Sequence, residues 1–236
     1  DGSEGQGEIR LRQNSASCMT VTGVPPDSVP LERKIALVRE ADRAARGFDQ
    51  RIKQVTVIYR DSLQHVTIAS SDGTFAQDKR PYLTFVVQVV AVRDNLIQTA
   101  YESSGCMGGF EFFDSIDVAE IAAKASSRAV MMLEAPRAPS GRMAVVISSA
   151  SGGTMIHEAI GHGLEADLAR QGLSVFSGKI GEQVASPLIS VIDDATLAGK
   201  RGSFHVDDEG VSAERTVLVE RGILRSYLYD RLSAIK

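Results

Sequence analysis

Tyr82-Leu83-Thr84-Phe85-Val86-Val87-Gln88-Val89-Val90-Ala91-Val92 is dominated by β-branched and aromatic residues and reads as one long strand. Asp94-Asn95 follows as a turn signal, and Leu96–Glu102 then reads as a strand running back along the first. Upstream, Val55-Thr56-Val57-Ile58-Tyr59 and Val66-Thr67-Ile68-Ala69 are shorter runs of the same kind, and Ser71-Asp72-Gly73 is a turn after them. These segments predict a meander of antiparallel strands.

Helical patterns flank the meander. From Leu31 to Arg46 the apolar positions Ile35, Leu37, Val38, Ala41 and Ala45 form a helical stripe, with Gly47 as its stop. A Gly-rich loop (Gly105, Gly108, Gly109) leads to an Ala- and Met-rich helix from about Ser115 to Glu134, whose Met131 and Met132 read as core. Ala135-Pro136-Arg137-Ala138-Pro139-Ser140-Gly141 cannot continue a helix and marks a domain boundary. Beyond it, Met143–Ser149 reads as a strand, Gly152-Gly153 as a turn, and a helix is expected to start near Thr154. Short strands follow at Val184–Ala185, Leu188–Ile192, Gly202–Val206 and Arg215–Glu220, and Arg221-Gly222 turns into Ile223–Tyr229.

The predicted class is α+β: an antiparallel meander with flanking helices, then a β-rich module carrying the helix that starts near Thr154. Three parts are expected. Residues 1–30 are a loop-rich remnant of a preceding domain with one strand around Glu8–Arg12, residues 31–137 a central α+β domain, and residues 138–236 the truncated start of a C-terminal domain. The chain begins without Met and stops at Leu232-Ser233-Ala234-Ile235-Lys236, the opening of a helix, so it reads as a fragment that could have lost a leader.

Composition excludes several classes. With 43% hydrophobic and 24% charged residues the chain resembles ordinary soluble globular proteins. A net charge of −4, with basic residues scattered, gives no reason to bind nucleic acid or an anionic membrane. No apolar run is long enough to span a bilayer. Two cysteines, Cys18 and Cys106, are too few for a disulfide framework and read as buried thiols.

The chemistry concentrates in Thr154-Met155-Ile156-His157-Glu158-Ala159-Ile160-Gly161-His162-Gly163-Leu164-Glu165-Ala166-Asp167, which holds two of the chain's four histidines. Neutral imidazoles suit zinc, and a neighbouring carboxylate can take a proton from water activated at such an ion. The familiar zinc-peptidase pattern spaces its histidines four apart on one helix face. Here they are five apart, and five residues turn a regular helix by about 500°, leaving the imidazoles about 140° out of line. A widened π turn is one remedy, and Gly161 and Gly163 are read as freeing the backbone there.

The run Met155–Asp167 resembles the signature of the TldD/PmbA family of metallopeptidases. The likeness extends through Ser174-Val175-Phe176-Ser177-Gly178-Lys179-Ile180-Gly181-Glu182, Asp193-Asp194-Ala195-Thr196, Asp207-Asp208-Glu209-Gly210 and Ala138-Pro139-Ser140-Gly141, and less sharply over the region from Leu31. The resemblance implies a cytoplasmic, zinc-dependent peptidase that cleaves short or unfolded peptides within a homodimer or a heterodimer with a paralogue. By the same resemblance His157 and His162 are metal ligands and Glu158 the general base. The family's third ligand is a downstream cysteine; none follows His162 here, so that ligand is expected beyond the end of the chain and the site within it incomplete.

Two rival readings stand beside this one: a non-catalytic partner subunit that shapes a chamber, and a structural metal site closed by four ligands. Glu165 and Asp167 read either as groups orienting a ligand imidazole or as helix-surface carboxylates. His205 reads as a packed histidine. Asp207-Asp208-Glu209-Gly210 lacks the ligand spacing of a calcium loop; it reads as a solvated turn, or by the resemblance as a stretch lining the cleft.

Overall fold

The computed structural model describes residues 12–13 and 22–235. Cys18 and most of the strand expected around Glu8–Arg12 lie outside them. The chain divides into two compact units: the first comprises Asp1–Ala138 with Leu197–Ser212, the second Pro139–Thr196 with Ala213–Lys236.

The first unit is built on a four-stranded sheet of β1 (Arg12–Gln13), β2 (Ile52–Ala69), β3 (Thr74–Arg93) and β4 (Leu96–Met107). β3 is central, antiparallel to β2 from Ile52↔Ala91 to Ala69↔Phe75 and to β4 from Tyr82↔Met107 to Arg93↔Leu96. The two β-branched runs at 55–59 and 66–69 are thus one continuous strand. Their polar connection stays extended because it pairs throughout with β3 and can turn a face to water. Gly73 (φ 92°) and Asp94 (φ 53°) supply the left-handed backbone that the two hairpin turns need.

Alternation decides the core. Leu83, Phe85, Val87, Val89 and Ala91 have no exposed surface, and against this face pack α1 (Leu31–Phe48) and α2 (Val118–Met132). Small residues on the helices, Ala41 and Ala45 on α1 and Ala122, Ala125 and Ala129 on α2, let them approach closely. Each large apolar side chain buried in this way stabilises by about 1.5–3 kcal/mol before entropy is counted. Asp117 caps α2 by accepting from the backbone N–H groups of Ala119 (2.8 Å) and Glu120 (3.3 Å). Two readings are corrected: Gly47 lies inside α1 rather than ending it, and Met131 is 63% exposed rather than core.

Leu197–Ser212 joins this first unit through Arg80, whose guanidinium pairs with Asp78 (2.8 Å) and Asp208 (3.0 Å) and donates to the carbonyl of Val206 (2.6 Å). Gly210, at φ 79°, sits where a Cβ would lie 2.7 Å from Thr74 Cγ2. The acidic run at 207–210 is therefore anchored in the first unit by a cation far away in sequence. Gly202–Val206 forms no strand beyond the single bridge Val206↔Ser212.

The second unit carries α3 (Ser149–Ile156), α4 (Ala166–Arg170), a small antiparallel sheet of β5 (Val191–Asp194), β6 (Arg215–Glu220) and β7 (Ile223–Leu224), and α5 (Arg231–Ile235). Arg221 and Gly222, both at positive φ, make the tight β6–β7 turn. Its core is Leu164, Ala166, Ala169, Leu218, Val219, Leu224 and Tyr227. Here the sequence reading needs correction. Residues 143–148 have no strand partner among the described residues, Gly152 and Gly153 lie inside α3, and the strands read at 184–185, 188–192 and 223–229 shrink to β5, β7 and an isolated bridge at Gln183. No described helix is long and apolar enough to cross a membrane.

Candidate metal centre

α3 does not continue as a regular helix. His157–Gly161 is a π turn, closed where the N–H of His162 donates to the carbonyl of His157, and His162–Leu164 tightens into a 3₁₀ turn before α4. The wider turn resolves the five-residue spacing: the two imidazoles lie with centroids 4.4 Å apart, at 70° to one another. Ligand atoms of His157, Glu158 and His162 all lie within 4.8 Å of one another, and all three residues are exposed.

The glycines serve this geometry through space rather than backbone freedom. Gly161 has ordinary helical angles (φ −53°, ψ −59°), but a Cβ there would stand 3.2 Å from His157 Nδ1, so its absence lets that ring lie along the turn. At Gly163 a Cβ would meet the Phe176 ring at 2.8 Å. Phe176 is held in turn by the Tyr227 hydroxyl, which donates to its carbonyl at 2.6 Å.

His162 Nδ1 lies 2.8 Å from Glu165 Oε1, while Nε2 faces Glu158 Oε2 at 3.9 Å. A carboxylate can only accept, so the contact makes Nδ1 the protonated nitrogen and leaves the Nε2 lone pair free. The hydrogen bond to Glu165, followed by the charges of Glu165 and Glu158, raises the His162 pKa above the usual histidine value. Of the two roles open to Glu165, imidazole partner or surface carboxylate, the structure shows contact with the imidazole. Its spacing from His162, three residues on along a helix, was the available signal.

The donor set fits a zinc ion. Bonds of about 2.0–2.2 Å need donor atoms roughly 3–3.5 Å apart in a tetrahedral shell, within reach of small rotamer changes here. Two imidazoles with an oriented outer carboxylate are typical zinc chemistry. Cys106, the one described cysteine, sits in the first unit, and burial, with a smaller contribution from Glu111, pushes its thiol up to about 11. It is not poised as a thiolate.

Comparison with known proteins gives the family. Residues 24–133 match the PmbA/TldA metallopeptidase central domain and residues 140–236 the PmbA/TldA metallopeptidase C-terminal domain. The chain is 38% identical to the metalloprotease TldD homolog of Haemophilus influenzae over 215 residues, covering 89% of this chain and 45% of that protein. It is 36% identical to a metalloprotease of Methanothermobacter thermautotrophicus over 234 residues, 98% of this chain and 51% of the relative. The chain thus spans about half the length of the curated relatives it matches. Among solved structures, a candidate modulator of a DNA gyrase from Thermotoga maritima superposes with a TM-score of 0.80 at 22% identity, over 92% of this chain and 49% of that one. TldE from Thermococcus kodakarensis gives 0.63 at 17% identity, over 91% and 50%. At those identities the likeness to solved structures is one of fold.

Proposed function

The chain belongs to the TldD/PmbA family of metallopeptidases, and on that premise we propose that it carries the proton-transfer centre of a zinc-dependent peptidase acting on short or unfolded peptides. The observation that carries the reading is the convergence of His157, Glu158 and His162 on an exposed π turn. His157 and His162 would hold the ion, with a third ligand, a cysteine, supplied from outside residues 1–236. When bound, zinc polarises the scissile carbonyl and lowers the pKa of a coordinated water to about 7. The chain's own groups do the rest. Glu158 takes a proton from the attacking water as oxygen adds to the carbonyl carbon, and returns it to the leaving nitrogen as the C–N bond breaks. Glu165 holds the His162 ring with Nε2 turned to the ligand position. The dimer and the cytoplasmic location implied by the resemblance belong to the same proposal.

Glu158→Gln in the protein at its full natural length is the test. Gln keeps the shape and removes the proton acceptor, so metal content should stay near wild type while cleavage falls by about 10²–10⁴. Both are read on one preparation, by elemental analysis and by mass spectrometry of a peptide mixture. Undiminished cleavage would remove Glu158 from the mechanism. Lost metal would make Glu158 a ligand instead.

A further inference from the structure

The first unit's sheet has a second face, opposite the helices, and on it lies a pocket of about 320 Å³ lined by Arg60, Ser62, Tyr82, Thr84 and Arg201. Strand register builds it. Arg60 lies directly across from Thr84 and Ser62 across from Tyr82, so the four side chains share one face of adjacent strands. Opposite Thr84 on β4 stands Gly105, which adds no side chain. Arg201 arrives from the 197–212 segment, tethered beside Tyr82 by the N–H of Met107 donating to the carbonyl of Gly199 (3.2 Å).

Several other arginines of this unit are committed to carboxylates, whereas Arg33, Arg39 and Arg43 on α1 make no ion pair among the described residues. Arg80 pairs with Asp78 and Asp208, Arg51 and Arg93 with Glu134, Arg46 with Asp42, and Arg128 with Glu102. Arg60 and Arg201 have no ion pair or hydrogen bond among the described residues, in a chain whose acidic groups outnumber its basic ones by 30 to 26. None of the neighbours of Arg60 on its own face (Ile58, Ser62, Thr84, Tyr82, Val86) is acidic, and Lys200 precedes Arg201. Two guanidinia facing one hollow repel unless an anion stands between them. The hydroxyls of Ser62, Tyr82 and Thr84 add three further donors with no partner among the described residues.

We propose that this pocket binds a carboxylate group of a peptide. Planar guanidinium forks match the two oxygens of a carboxylate, and hydroxyl donors complete its shell. The choice of a peptide as the source of that carboxylate rests on the peptidase reading; the anion preference itself rests on the five lining residues.

The test uses the full-length protein with metal removed by chelation, since nothing in the pocket needs the ion and no probe is then cleaved. Calorimetry compares a short peptide bearing a free C-terminal carboxylate with its C-terminal amide, and with inorganic phosphate as competitor. Wild type should favour the carboxylate form about tenfold or more. Arg60→Gln and Arg201→Gln, both at exposed positions, should each reduce that ratio towards one with an unchanged circular dichroism spectrum. Equal binding of acid and amide, a ratio unchanged in both variants, or phosphate binding tightly while the carboxylate peptide does not, would overturn the proposal. A retained ratio in a protein that cleaves no peptide would leave the pocket standing and remove the peptidase reading alone.

Discussion

In the first unit β3 carries five alternate side chains, Leu83 to Ala91, at zero exposure under two helices, whereas in the second unit His157, Glu158 and His162 are all open to solvent beside a small core. The two regions hold their geometry by different means. Along β3 the pleat and the packing agree at every residue, so position follows from burial. Around the π turn, position follows from a few local contacts: the Glu165–His162 hydrogen bond, the missing Cβ at Gly161, and Phe176 seated against Gly163. Reactive groups need access to water and to a substrate, and packing tight enough to fix them would also enclose them. Perturbing burial in the first unit should therefore cost stability, and perturbing contacts at the turn should cost metal.

The largest stability effect is expected at Arg80. Its pair with Asp78 is nearly buried, with side-chain exposures of 9% and 2%. Arg80→Ala strands the Asp78 carboxylate and frees the 197–212 segment, and removing one partner of a buried pair costs about 3–5 kcal/mol. Urea unfolding should show that loss while metal content per molecule of folded protein stays unchanged. Loss of metal along with stability would break the separation drawn between the two regions.

Glu165→Gln reverses the pattern. Folding should be unaltered, but an outer carboxylate of this kind is worth about 10–100-fold in metal affinity. A pH signature accompanies it. Protonated His162 cannot coordinate, so protons compete with the metal for its ring and metal is lost on acidification. Without Glu165 the weaker site should lose its metal at a higher pH than wild type, because less affinity is left to compete with protons for the ring. Affinity and midpoint both unchanged in competition with a chelator would make Glu165 a surface carboxylate after all.

What the sequence revealed follows the same division. The alternation along β3 and most of the α1 stripe (Leu37, Val38, Ala41 and Ala45, but not the exposed Ile35) were legible because each residue repeats one local rule. Met143–Ser149 misled: its apolar residues have strand propensity, yet the described residues give it no partner, and propensity without cross-strand pairing makes no strand. Gly152-Gly153 looked like a turn and is helix, since two glycines permit a turn without requiring one. At the metal centre residue types and spacing were legible, and the five-residue interval itself pointed to a π turn. The glycine roles were not, because a ring lying over Gly161 or Gly163 is a matter of space that no local propensity encodes. Asp208 was legible as part of a turn; its partner Arg80 is 128 positions away, and only the fold brings them together.

The smallest effect is expected at Lys124, and it tests whether burial rather than distance separates strong pairs from weak ones. Lys124 Nζ lies 2.8 Å from Glu120 Oε1, the same separation as Arg80 from Asp78, but here the side chains are 57% and 62% exposed. Water solvates both ions nearly as well apart as together, and holding two long side chains in one geometry costs entropy. Order along the helix is the favourable one, with the glutamate four residues before the lysine. The lysine pKa is raised by its hydrogen bond to Glu120, and for so exposed a pair a raised pKa is no measure of fold stability. Lys124→Gln keeps a good helix former and deletes the charge, so its urea midpoint should coincide with wild type within error. In about 1 M salt, where the screening length is about 3 Å, any residual difference should vanish. A shift approaching that of Arg80→Ala would mean that the 2.8 Å contact stabilises irrespective of exposure, and the contrast between packed interior and open surface would fail where it is easiest to measure.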